Sequence, residues 1–169
     1  MSEDAVWKSL YAGLLVGVTG LLAWLFGEPL LFPSLGPTAY MYATAGQQSR
    51  LSARRVVGGH LVGVVAGLLA YHALAGGVVV TTDASMLAAE QARVAASGVL
   101  AVALTTGGML LTETMHPPAC ATTLIVSLGL LSSITAGVQI VLAVCILVAA
   151  HTLITRSSLT PDAVSVVSS

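Results

Sequence analysis

The stretch Glu113-Thr114-Met115-His116-Pro117-Pro118-Ala119-Cys120-Ala121-Thr122-Thr123 decides how this chain folds, because it sets a helix-breaking His-Pro-Pro inside the longest uncharged run, Thr114 to Thr155. Nothing else in that run reads as a turn until Gly129. A helix broken at membrane depth bares backbone polar groups that lipid cannot satisfy, so such a break is tolerated where protein or a watery cavity supplies partners. The break is therefore the first place to look for function.

Composition puts the run in a membrane. Hydrophobic residues make up 56% of the chain and charged residues 8%, against about a quarter charged in soluble domains, and the mean hydropathy is +0.95. The remaining uncharged blocks are Ser9 to Gly27, Pro29 to Ser49, Val56 to Thr82 and Val94 to Thr112, and a spanning helix needs about 20 apolar residues. Residues 1–169 read as a single transmembrane domain with no soluble domain inside it. Ser9 to Gly27 is longer than a signal-peptide core and lacks a small-residue cleavage site, so it is expected to be a retained first span. The sparse charges fall between the apolar blocks, which argues against a nucleic-acid partner.

Sliding the sequence on itself by about half its length aligns Pro33 with Pro117, Thr38 with Thr122, Gly13 with Ser97, Gly17 with Ala101 and Gly59 with Ala143. One offset serves every pair. The chain reads as two pseudo-symmetric repeats, roughly 1–84 and 85–169, each a span, a short broken helix and another span. The fold class is all-α membrane protein, with four full transmembrane helices plus two short broken or re-entrant helices. If Pro29 to Ala45 and Pro117 to Leu131 both cross, Lys8, Arg50, Arg54, Arg55 and Arg156 share one side and Arg93 faces the other; if both are re-entrant, the basic residues divide evenly. The positive-inside rule favours the first arrangement, with both termini cytoplasmic and the repeats inverted. Four spans with two re-entrant helices is the alternative.

Gly59, Gly63 and Gly67 recur every fourth residue, as do Gly13 and Gly17, and such stripes let helices approach closely. The segment Ala75 to Arg93, with Asp83 and Glu90, reads as a solvated connection between repeats. The polar tail 157–169 is expected to be disordered.

The two broken segments carry the candidate chemistry: Ser34, Leu35, Gly36, Pro37 and Thr38 in one, His116, Pro117, Pro118, Ala119, Cys120, Ala121, Thr122 and Thr123 in the other. Proline suits the first turn of a helix, so both read as helix starts at depth. A helix start offers free N–H groups and about half a positive charge, which together bind an anion without lysine or arginine. Ser34, Thr38, Thr122 and Thr123 add hydroxyl donors. Alternatively, both breaks are structural kinks whose N–H groups meet neighbouring carbonyls and hydroxyls.

His116 precedes the second start, where an imidazole can donate to an anion or carry a proton with it. Glu113 can pair with it, although the interface is the simpler place for both Glu113 and Glu28. His60, after Gly58-Gly59 and the anchoring Arg54-Arg55, faces the mouth of a cavity or caps the glycine stripe. His72 and His151 are weaker candidates. No pair of histidines has metal-site spacing, so no metal is expected. No nucleophile–base constellation suggests an enzyme, and no cofactor is expected. Cys120 and Cys145 read as packing residues.

The residues Glu113 to Thr123, with Pro33-Ser34-Leu35-Gly36-Pro37-Thr38-Ala39 and Arg54-Arg55-Val56-Val57-Gly58-Gly59-His60, resemble the HPP family of integral membrane proteins over nearly the whole chain. The family is described as having four transmembrane helices, and its plant plastid and cyanobacterial members are implicated in nitrite transport. The resemblance implies a transporter of a small inorganic anion, nitrite first. Nitrate, formate and chloride differ too little for backbone donors to separate them. A ligand-sensing or partner-binding membrane module, suggested by the small size and glycine stripes, is the second reading. Six short segments enclose little volume, so a homo-oligomer in the cell membrane bilayer is expected.

Overall fold

The computed structural model describes residues 2–45, 51–81 and 88–157. Asp83, Arg50 and the tail beyond Ser157 lie outside the described residues. Among the described residues the chain forms six helices and no strands: α1 (Glu3–Phe26), α2 (Leu35–Thr44), α3 (Ala53–Ala70, continued by a π-helical turn Tyr71–Ala75), α4 (Ala89–Thr112), α5 (Ala119–Ser127) and α6 (Ile134–Arg156). Four of these elements, of 24, 23, 24 and 23 residues, are long and apolar enough to cross a membrane. At 1.5 Å per residue each reaches about 35 Å, against about 30 Å of hydrocarbon. The other two, of 10 and 9 residues, reach about 15 Å, half the distance.

Local chemistry sets the ends. The hydroxyls of Ser2, Ser52 and Ser133 accept from the amides of Ala5, Arg55 and Ala136, capping α1, α3 and α6. α1 starts six residues before the uncharged block, at Glu3, because that serine cap and the acids Glu3 and Asp4 in the first turn suit the positive end of a helix. α1 stops at Gly27 in the left-handed region, and α4 stops the same way at Glu113, φ 57°. Gly129, φ +83°, ends the short run after α5; a Cβ there would lie 2.5 Å from the Val78 carbonyl oxygen, so only glycine fits.

Contacts between distant residues trace the path of the chain. Tyr11, near the start of α1, bonds to His151 near the end of α6, and Glu28, just past α1, accepts from Gln139 near the start of α6. α1 and α6 are thus antiparallel, with both outer ends of the described chain at one end of the bundle. Tyr42, in the last turn of α2, stacks on the same His151 at 4.0 Å, so residues 28–44 lead from the far end back to the near end. Arg54 donates to the Thr112 carbonyl at the near end, and Val80 donates to the Leu128 carbonyl at the far end, so residues 113–131 also join the two ends. Each short helix is therefore half of a path that a non-helical stretch completes.

α3 lies at the centre and packs against α4, α5 and α6. Its glycine stripe is the seat of α5. A Cβ on Gly59 would stand 2.8 Å from the His116 Cβ, one on Gly63 2.8 Å from the Ala119 carbonyl oxygen, and one on Gly67 2.8 Å from the Val126 Cβ. The α1 stripe behaves differently: Gly13 and Gly17 are exposed, and a Cβ at either would meet nothing within 4 Å. Gly63→Ala should lower stability by about 1–3 kcal/mol through overpacking, whereas Gly17→Ala should change it by less than about 1 kcal/mol, toward stability. Unfolding midpoints in mixed mild and denaturing detergent check this; equal effects would contradict the seat.

Candidate functional site

The centre of the site is one hydroxyl. Thr38, in the first turns of α2, has its Oγ1 3.0 Å from the Ser34 carbonyl oxygen, 3.2 Å from His60 Nε2 and 3.0 Å from His116 Nε2. Thr38, His60 and His116 are all 0% exposed. A hydroxyl has one proton and two acceptor positions. The Ser34 carbonyl can only accept, so the Thr38 proton goes to it, and both imidazoles must donate from Nε2. A neutral ring that donates from Nε2 keeps its lone pair on Nδ1.

The two lone pairs meet different surroundings. His60 Nδ1 accepts from the Thr122 hydroxyl at 2.8 Å. His60 thus bridges Thr38 and Thr122, which occupy matching positions in α2 and α5. His116 Nδ1 is buried with no partner, and so is the Ser34 hydroxyl. The rings of His60 and His116 lie 5.2 Å apart, tilted by 57°.

Each element brings its part by a local cause. Gly59 lets the Thr114 carbonyl and the His116 Cβ lie against α3, and His60 is the next residue along. His60 stands roughly 6 Å from the middle of its 23-residue element. Thr122 and Thr123 are both buried in α5; Thr123 bonds to Thr105 of α4 at 2.8 Å and donates to the Ala119 carbonyl. Ser97 of α4 donates to the Ser127 carbonyl at the other end of α5. Polar side chains therefore tie the broken helix along its length.

The sequence-derived residues separate into three groups. Ser34, Leu35, Thr38, His60, His116, Pro118, Ala119, Thr122 and Thr123 are buried, Cys120 and Ala121 are half-buried, and Gly36, Pro37 and Pro117 are exposed. The outward face of each helix start is thus not part of the cluster. The amides of the second start also differ from expectation. Ala119, Cys120 and Ala121 donate to the carbonyls of His116, Pro117 and Pro118, so the turn made by His-Pro-Pro occupies its own N–H groups. The donors and acceptors of the centre are side chains. Glu113 is exposed and ends α4, apart from His116.

A second cluster forms around His151, which the sequence ranks as a weak candidate. His151 accepts the Tyr11 hydroxyl or donates to it at 2.7 Å, and Tyr42 stacks on its ring. The signal for it is the spacing Ser34, Thr38, Tyr42, which puts three buried polar side chains on one face of α2 at four-residue steps. His72 is exposed. A groove of about 530 Å³ opens elsewhere, between α1 and α6, lined by Leu22, Phe26, Glu28, Leu30, Gln139, Leu142 and Ile146; it includes none of the histidine cluster.

Thr38→Val removes the shared hydroxyl and strands two imidazole N–H groups. It should lower stability by at least about 2 kcal/mol, since each unsatisfied buried group costs roughly 1–3 kcal/mol. Thr19→Val, at an equally buried threonine that bonds only to the Val16 carbonyl, should cost under about 1 kcal/mol. Detergent unfolding of both variants checks the contrast, and a loss no larger for Thr38→Val would contradict the shared-hydroxyl arrangement.

A family model described as HPP, transmembrane region, matches residues 2–161. Neither a curated protein nor a solved structure matches the chain. With four long apolar spans and the family's pattern running through both broken helices, this chain belongs to the HPP transmembrane-region family.

Proposed function

We propose that the protein is a carrier or channel for a small monovalent anion, nitrite first, whose path passes the His60–Thr38–His116 cluster. The observation that supports it most is the bridge through His60, which joins the matching threonines of two discontinuous helices. Transporters place their substrate sites where discontinuous helices of two repeats meet, and an ionisable residue inside a membrane is a functional site by default. In this reading residues 28–44 and 113–131 both traverse the bilayer, each half irregular chain and half helix. Three passes per repeat make the repeats inverted. Lys8, Arg54, Arg55 and Arg156 then share the side of both termini, which the positive-inside rule makes cytoplasmic in the cell membrane.

A second reading has its own support. Thr38, His60, His116, Thr122 and Thr123 are all fully buried, and a closed centre suits a ligand-sensing module as well as an occluded carrier. Flux separates the two. Proteoliposomes at mildly alkaline pH, compared with protein-free vesicles to remove passive entry of nitrous acid, should take up nitrite saturably. His60→Gln should slow uptake at least ~10-fold, equivalent to about 1.4 kcal/mol of barrier. No flux of nitrite, nitrate, formate or chloride would leave the sensing module as the better reading.

A further inference from the structure

His60 and His116 are the fully buried ionisable side chains among the described residues. Arg54, Arg55, Arg93 and Arg156 are exposed and Lys8 pairs with Asp4, so among the described residues no fixed cation lies at the centre. An anion arriving there loses its hydration, and an unpaired ion away from water is heavily penalised. The α5 start adds a dipole, but its first amides already donate within the His-Pro-Pro turn. A proton can supply the missing counter-charge, and the unpartnered Nδ1 of His116 is a position for it.

We propose that His116 Nδ1 is a proton-binding site loaded together with the anion, so that the species moved is the anion plus one proton and no net charge crosses. This rests on the anion reading above. On loading, the O–H bond of the conjugate acid breaks, its electron pair stays on the anion, and the proton forms an N–H bond with the Nδ1 lone pair, giving an imidazolium beside the anion. On release that bond breaks and the proton leaves with the anion; no electrons change hands. Throughout, Nε2–H stays donated to Thr38 Oγ1, which fixes the tautomer and keeps Nδ1 as the acceptor. The Ser34 hydroxyl, the cluster's other unpartnered polar group, has a proton to donate to the anion.

The position of His116 makes the coupling strict. It stands just before α5, where the positive end of the helix opposes an imidazolium and favours an anion. Proton and anion therefore each bind poorly alone and help each other equally. The groups around His116 do not compete for the proton. α3 brings His60, whose Nδ1 accepts from Thr122; α2 brings Thr38 and Ser34; α5 brings Thr122. The buried faces of α4 and α6, with Ser97, Thr105, Ile140 and Val144, bring no titratable group.

The test is magnetic resonance of ¹⁵N-histidine-labelled protein in lipid nanodiscs at one mildly alkaline pH, with His116→Asn identifying the His116 signals. Without added anion, Nδ1 should be unprotonated and Nε2 protonated. Saturating sodium nitrite should move the Nδ1 signal to the protonated position, and sodium sulfate of equal ionic strength should not. If Nδ1 stays unprotonated while the same protein takes up nitrite in vesicles, the proton site is overturned and the anion reading stands. If neither shift nor uptake occurs, both fall.

Discussion

A threonine hydroxyl has one proton to give, and the structure depends on where Thr38 gives it. Donated to the Ser34 carbonyl, which also accepts from the Thr38 amide, it turns Oγ1 into an acceptor for two imidazoles. That single assignment fixes both histidine tautomers, joins α2 to α3 and α5, and leaves His116 Nδ1 open. Valine has the same shape but offers none of these bonds, so the polar atom, not the packing, is what the position requires.

The node works because the helices around it are broken and closely seated. Proline and His-Pro-Pro interrupt two segments that would otherwise run through as ordinary spans, and the freed backbone groups are met inside the protein: Leu35 donates to the Phe32 carbonyl, and Ala119, Cys120 and Ala121 to the three residues before them. Lipid could not supply such partners. The glycine stripe on α3 then admits α5 at backbone distance, which carries His116 and Thr122 to within reach of His60. Hydroxyls of Ser97, Thr105 and Thr123 fasten the rest of α5. Small residues, polar ties and the break are one construction.

Much of this is legible in the sequence. Hydropathy marks the four long spans, proline marks both breaks, and the match of Thr38 with Thr122 under one offset points to the pair that His60 bridges. What is not legible is direction. A helix start declares free amides, yet whether they face a ligand or their own turn depends on φ and ψ at His116 to Pro118, which residue type alone does not set. Likewise Gly36, Pro37 and Pro117 are exposed, and that follows from how α2 rotates against α1 and α6 and how the turn before α5 is set against α3. Gly13 and Gly17 carry the same spacing as Gly59 and Gly63 but meet nothing within the chain. His151 looks isolated in sequence because its partners Tyr11 and Tyr42 are far away along the chain.

One imidazole, that of His60, couples two threonines that share no hydrogen bond with each other. A double-mutant cycle on stability, with Thr38→Val, Thr122→Val and both together in mild detergent, measures it directly. Independent sites add to within about 0.3–0.5 kcal/mol. A coupling of about 1 kcal/mol or more is expected, abolished when His60 is replaced by leucine. Additive losses, unchanged by the His60 substitution, would contradict it.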